Sequence, residues 1–311
     1  MRSLTSPLLL LFPLLIQTRD AQSQRRFIQI WFRHGERTPT KLTRFPSDPP
    51  DLGKDFPVKP GELTRRGIQQ EFGLGQRLRV EYDAFLGDYD RDEIRVLAGE
   101  DNRTIASGLA VLAGLYPPTS QLPIDGLNWQ PIPIHSRLTL DEVSTGVLDF
   151  CGGLEKAIRS SSQFTEILKS IDCETLTYVR EKTGLPIKDA NEFNYVVDAI
   201  KTKRALNDSR LPLPEWSFPL LPLINNLSDH VHMKMVAMLN ESAGGYHGEL
   251  ILSAIEDHFA LPSRKALFLS GHDTNLMTIG AFFGIPDLST RLCDYAAHLA
   301  IELHDHPTDQ F

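Results

Sequence analysis

Apolar positions along this chain follow two rhythms, one continuous and one helical, and they alternate. Phe27-Ile28-Gln29-Ile30-Trp31-Phe32 is a near-continuous apolar run, the pattern of a strand covered on both faces in a parallel sheet. After a Pro- and Asp-rich loop over 45–60, Glu62-Leu63-Thr64 opens a helical pattern that continues through Tyr82. Thr64 is the expected N-cap, and Ile68, Phe72, Leu74 and Leu78 the expected apolar stripe. Ile94-Arg95-Val96-Leu97-Ala98 reads as a second strand. Asp101 then begins a helix carrying Ile105, Leu109, Leu112 and Leu115, which Pro117-Pro118 end.

From about residue 138 to 240 the character changes. Helical segments over 151–170, 174–183 and 190–206 are separated by glycine and by a Pro-rich stretch over 211–222. Strand character returns at Lys265-Ala266-Leu267-Phe268-Leu269-Ser270, followed by Gly271-His272-Asp273 and an apolar helix through Ile285. A last short strand covers 297–304. Alternation of this kind predicts an α/β fold, a mainly parallel open sheet with helices on both faces plus an inserted smaller helical domain. The expected boundaries are 24–137 and 241–311 for the α/β domain and 138–240 for the helical insertion.

The first 23 residues stand apart. Arg2, the apolar run over 7–16 and the ending Ala21-Gln22-Ser23 predict a secretory signal peptide, with the mature chain starting near Gln24. No later segment approaches 18 uninterrupted apolar residues, so no transmembrane helix is expected. A secreted chain tolerates disulfides, but Cys151, Cys173 and Cys293 make an odd count that leaves one unpaired. Their spacing excludes a zinc ribbon or a thioredoxin-like pair, which leaves a structural bridge or plain burial for each. Sequons start at Asn102, Asn207, Asn226 and Asn240, and the last three are the expected glycan sites, because a glycan on Asn102 would crowd Arg103.

The 311 residues carry a formal charge of −8, so no broad basic field exists to hold nucleic acid. Against that background Arg33-His34-Gly35-Glu36-Arg37-Thr38-Pro39, placed directly after the first strand, is a local exception. Guanidinium forks match phosphate oxygens, and an imidazole between them is placed to attack phosphorus. Gly35 lets backbone approach an anion closely. A second strand also ends in a histidine-bearing loop, Ser270-Gly271-His272-Asp273. In a parallel sheet both loops emerge at one edge, together with the 99–103 junction that carries Arg103. Standing alone, His272-Asp273 would read as a helix N-cap by Asp273 beside a buried histidine.

These motifs resemble the histidine acid phosphatase family, within the phosphoglycerate-mutase-like superfamily. The resemblance rests on the first heptapeptide, Glu62-Leu63-Thr64 with Gly67, Asp101-Asn102-Arg103-Thr104, Ile134-His135, Gly244-Gly245, Ser270-Gly271-His272-Asp273-Thr274 and Ala297-His298-Leu299. It implies that His34 attacks phosphorus and is transiently phosphorylated. Arg33, Arg37, Arg103 and His272 would then hold the phosphoryl oxygens, and Asp273 would protonate the leaving alcohol. No metal or other cofactor is implied, because three guanidinium groups can neutralise the phosphoryl charge. The implied substrate is a small phosphate monoester, the implied compartment extracellular or lysosome-like, and a homodimer is the implied assembly. Glu36 is expected to orient an arginine, and His135 is a candidate for reaching the cleft.

Family members usually continue past the last strand with a further strand and a cysteine-bearing segment, whereas this sequence stops at Phe311. Two alternatives follow. One is an inositol-polyphosphate phosphatase with a more basic pocket, for which Lys156, Arg159, Lys201, Lys203 and Arg204 of the insertion form no clear cluster. The other is a secreted binding protein that keeps the fold without the activity.

Overall fold

The computed structural model describes residues 24–54, 56, 58–118, 127–136, 166, 168–222, 224, 226, 229, 233 and 245–305. The expected leader, Cys151, Lys156, Arg159, His230, His232, Asn240, Gly244 and most of the helix expected over 151–170 lie outside the described residues. Five strands form one sheet: β1 (Arg25–Arg33), β2 (Ile94–Ala98), β3 (His135–Ser136), β4 (Ala266–Gly271) and β5 (His298–His304), in the spatial order β3-β2-β4-β1-β5. The first four run parallel to their neighbours, while β5 pairs antiparallel with β1. This is the mainly parallel sheet that the alternation predicts. The reversed edge strand was not legible in the pattern; it arises because residues 290–297 carry the chain back to the carboxyl end of β1, where Arg33 N–H donates to Ala297 O at 2.9 Å.

Strand alternation sends side chains to two separate cores. Ile28, Ile30 and Phe32 of β1, with Val96 and Phe268, pack under α1 (Arg65–Leu86) and α2 (Asn102–Leu115). Phe27, Trp31, Leu267 and Leu269 face the opposite way, against Ile251 of α5 (Gly245–Ala260) and Leu276 and Ile279 of α6 (Asp273–Phe282). Gln29, a polar side chain buried inside β1, has a partner for each of its groups: its amide donates to Ile251 O at 2.9 Å and its oxygen accepts from Trp31 Nε1 at 3.3 Å.

The apolar stripe expected for α1 needs correction. Thr64 is the N-cap, accepting from Gly67 N–H, but Ile68 and Phe72 are 49% and 40% exposed. The buried face is instead Gly67, Glu71, Leu74, Gly75, Leu78, Tyr82 and Leu86. Small residues define it because α1 and α2 cross backbone to backbone. A Cβ on Gly75 would lie 2.9 Å from Leu115 N, and one on Gly114 3.0 Å from Gln76 N. On α2, likewise, Ile105 and Leu109 are only half-buried, while Val111, Leu112 and Leu115 share the core with α1.

The helical segment has its own core. α3 (Cys173–Thr183) is capped by Asp172, which accepts from Thr175 N–H at 2.7 Å. α4 (Ala190–Leu206) is capped by Asp189, which accepts from Glu192 N–H at 2.9 Å. Phe193, Val196, Val197 and Ile200 of α4 pack with Ile171, Val179, Ile187 and Phe45. The Pro-rich stretch forms only a short 3-10 turn over Glu215–Leu220. Phe45 belongs to the loop after β1, and a buried Lys203–Asp48 ion pair at 3.0 Å fastens that loop to α4 a second time. The helix after β4 stops at Phe282, short of Ile285, because Gly284 takes φ 67° and Pro286 opens a separate turn, α7 (Pro286–Ser289).

Candidate active site

The two histidine loops leave adjacent strands in register. Arg33 pairs with Gly271 and Phe32 with Ser270 across β1 and β4, and His34 N–H donates to Gly271 O at 3.0 Å. β2 joins the same edge through Gly99 N–H to Ser270 O at 3.1 Å, which places the start of α2 beside both loops. Ser270 Oγ donates to Thr104 O at 2.7 Å, and Gly35 N–H donates to Ser107 Oγ at 3.2 Å.

This frame places the His34 and His272 rings edge to face, with centroids 5.4 Å apart. Nδ1 of His34 lies 2.8 Å from the carbonyl oxygen of Gly35. A carbonyl only accepts, so Nδ1 carries the proton and Nε2 the lone pair. Burial, then Arg33, His272, Arg37 and Arg103, hold the His34 pKa well below the ordinary histidine value, and the ring is neutral in weak acid. Arg33, Arg37, Arg103 and His272 thus all lie close enough to His34 to act on its charge.

Each arginine is anchored by part of its guanidinium. Arg33 Nη2 pairs with Asp273 at 2.8 Å, Nη1 donates to Cys293 O, and the group stacks on Tyr295 with 4.4 Å to the ring centre. Arg37 donates Nη1 and Nη2 to the two carboxylate oxygens of Asp198, at 3.3 and 3.0 Å. Arg103 pairs with Asp101 and approaches Nδ1 of His272 at 3.4 Å. A guanidinium cannot accept, so His272 Nδ1 is the acceptor and Nε2 carries the proton. The buried Nε atoms of Arg33 and Arg37 have no hydrogen-bond partner among the described residues. Such donors are costly in a protein interior unless an anion takes them.

The N-cap of α6 is His272 rather than Asp273. Asn275 closes a capping box, its Oδ1 accepting from His272 N–H at 2.7 Å, and Asp273 stands one position further on with Oδ1 accepting from Thr274 N–H at 2.8 Å. Asn275 is held in turn by His247, whose Nε2 lies 3.1 Å from its amide and whose Nδ1 lies 2.8 Å from Thr278 Oγ1. Burial lowers the His247 pKa to about 3, so this ring is a neutral strut.

Other expectations resolve differently. His135 lies on the two-residue strand β3 with its side chain exposed, and no contact joins it to His34 or His272. Glu36 is buried, accepts from Thr64 Oγ1 at 2.9 Å and pairs with Arg66 at 3.5 Å, which ties the heptapeptide to the start of α1. Asp198, Tyr295 and the Cys293 carbonyl carried no signal in the sequence and reach the site through tertiary packing. Asn275, three residues after His272 at a helix start, had a signal in the capping-box spacing. Cys173 is exposed and Cys293 buried, both with free thiols. Asn102 is exposed with its amide on Glu62 at 2.8 Å. Among the described residues no helix is long and apolar enough to cross a membrane.

Comparison with known proteins places this geometry. The profile of the histidine phosphatase superfamily (branch 2) matches residues 26–143. Testicular acid phosphatase of Mus musculus is 30% identical over 318 positions, covering 95% of this chain and 71% of that protein. Lysosomal acid phosphatase of Bos taurus is 28% identical over 96% of this chain and 71% of its own length. Among solved structures, Hafnia alvei phytase in complex with tartrate aligns at TM-score 0.58 with 19% identity, covering 91% of this chain and 82% of that one. Bifidobacterium longum multiple inositol polyphosphate phosphatase in complex with phosphate aligns at 0.60 with 12% identity, over 94% and 85%. These two show a shared fold. On the strength of the first relative, identical at 30% and matched over more than two thirds of its length, the chain belongs to the histidine acid phosphatases, branch 2 of the histidine phosphatase superfamily.

Proposed function

We propose that the chain hydrolyses small phosphate monoesters in acid through a phosphohistidine on His34. The observation that carries this reading is the neutral His34 ring, its Nε2 lone pair set among three guanidinium groups of which Arg33 and Arg37 keep a buried Nε–H unpartnered among the described residues. Arg33, Arg37, Arg103 and His272 take the phosphoryl oxygens. Nε2 of His34 attacks phosphorus, the bond to the ester oxygen breaks, and the departing alkoxide takes the proton of a protonated Asp273. Water then attacks the phosphohistidine and returns a proton to Asp273, the P–N bond breaks, and phosphate leaves. Arg33 holds Asp273 in an ion pair. An arriving phosphate competes for that guanidinium, which frees Asp273 to carry its proton.

Charge neutralisation comes from the arginines, so turnover is expected to survive a chelator. The preference for monoesters over inositol polyphosphates rests on the insertion. Lys203 is spent on Asp48 and Arg204 is exposed, which leaves Lys201, whose charge is influenced by Arg33 and Asp273. The same proposal includes the leader over 1–23 with delivery to the outside or a lysosome-like lumen, in keeping with relatives named lysosomal acid phosphatase. It also includes residues 138–240 as a cap over the site, glycans on the later sequons, and a homodimer. Release of phosphate from an aryl phosphate at about pH 5 tests the chemistry. His34→Ala is expected to abolish release, and acid-labile labelling from a phosphate-labelled substrate to be lost with it. Activity that persists in His34→Ala overturns the mechanism. A well-folded wild-type chain with no turnover favours the binding-protein alternative, and faster turnover of inositol hexakisphosphate favours the phytase-like one.

A further inference from the structure

We infer that Asp198, on α4 of the helical segment, is a positioning residue that aims Arg37 at the phosphate. The inference rests on the reading of Arg37 as a phosphate ligand. Arg37 has five N–H donors. Nη1 uses its two on Asp198 Oδ2 at 3.3 Å and on Thr38 O at 3.0 Å, and Nη2 uses one on Asp198 Oδ1 at 3.0 Å. The carboxylate therefore grips the far end of the guanidinium. What remains is the side edge, Nε–H with the second Nη2 proton, and Nε is buried with no partner among the described residues. That edge is a two-pronged fork of the shape that fits two phosphoryl oxygens.

Asp198 is itself fixed. Its Oδ2 also accepts from Thr40 N–H at 3.2 Å and Thr40 Oγ1 at 3.1 Å, so one carboxylate joins both ends of the Arg37-Thr38-Pro39-Thr40 turn to α4. Burial alone would raise its pKa, but Arg37 and the Thr40 hydrogen bonds outweigh burial and hold it below the usual carboxylate range. Lys203–Asp48, five residues along the same helix, fastens the loop beyond, and Trp216 Nε1 reaches Ser47 Oγ at 3.1 Å. The helical segment thus contributes to catalysis without touching substrate: it supplies the counter-charge that keeps one clamp from rotating away from His34.

The test is a double-mutant cycle read by inhibition with inorganic phosphate and by kcat and KM on an aryl phosphate. Asp198→Ala is expected to weaken phosphate inhibition and lower kcat/KM by about 10- to 100-fold, the scale found when partners that orient a ligand are lost. Asp198→Glu is expected to restore part of the loss. Arg37→Ala is expected to cost at least as much, and adding Asp198→Ala to it to cost little more, since the aspartate acts only through the arginine. Additive losses overturn the inference and assign Asp198 a general folding role, as does an Asp198→Ala enzyme with wild-type phosphate affinity. An Arg37→Ala enzyme with unchanged phosphate affinity overturns instead the assignment of Arg37 as a ligand. Melting temperatures of all four proteins separate folding losses from these outcomes.

Discussion

Gly35 and Gly67 meet backbone to backbone. A Cβ on Gly35 would lie 2.7 Å from the carbonyl carbon of Gly67, and one on Gly67 2.8 Å from Glu36 N. The His34 loop is seated on the first turn of α1 by this contact and by Thr64 N–H donating to Glu36 O at 2.9 Å.

Gly67→Ala is accordingly expected to displace the loop. Overpacking of this kind costs about 1–3 kcal/mol, and the movement is aimed at His34, so kcat should fall further than stability alone accounts for. Urea unfolding with parallel kinetics checks this; a mutant of normal kcat shows that the loop accommodates a methyl.

The acid side of the rate profile depends on His34. An ordinary histidine loses its lone pair as pH falls through about 6.5. Burial and the surrounding cations lower the His34 pKa well below that, so kcat/KM is expected to hold its value to lower pH. An acid limb centred at the ordinary histidine value would count against a neutral nucleophile. Arg103→Gln, which removes one of the cations, should move the limb upward in pH.

Stability depends on pH in two opposed ways. His247 has a folded pKa of about 3, below the unfolded value, so the unfolded chain binds more protons and stability is lost as pH falls from 6.5 toward 3. At pH 5 that one group costs about 2 kcal/mol. Glu71 acts oppositely. It is buried with neither oxygen hydrogen-bonded among the described residues, and burial raises its pKa, so stability is lost as pH rises above the unfolded carboxylate value near 4.5. Denaturant melts across pH 4 to 8 should show the two slopes. Glu71→Gln should flatten the alkaline one and His247→Gln the acid one.

Lys203 and Asp48 form an ion pair with almost no solvent access. Lys203→Met leaves a buried carboxylate without its partner, a loss of about 3–5 kcal/mol. Adding Asp48→Asn should recover much of it. Thermal melts of the three proteins test this, and a single mutant as stable as wild type would show that water reaches the site.

Much of this is legible in the sequence, and the reasons are local. Strand β1 announces itself by uninterrupted apolar residues, the cap Thr64 by its position, and the heptapeptide by its chemistry. What stayed hidden depends on surfaces meeting. Ile68 and Phe72 looked like core because hydropathy scores side chains, whereas α1 packs through glycines and a buried Glu71. Asp198 looked like any polar helix residue, because its partner lies in a loop at the other end of a hydrogen bond spanning 161 positions. Tyr295 and the Cys293 carbonyl are invisible for the same reason.

The pairing of Arg33 with Gly271 sets a condition on how the molecule acquires activity. The proposed nucleophile His34 and proposed proton donor Asp273 follow strands synthesised far apart, and no local folding event can bring them together. Only when the late strand has inserted between β2 and β1 do the two loops exist in one place. Activity is then a late and all-or-none property of the nascent chain, a reporter of the finished sheet that earlier collapsed states cannot mimic.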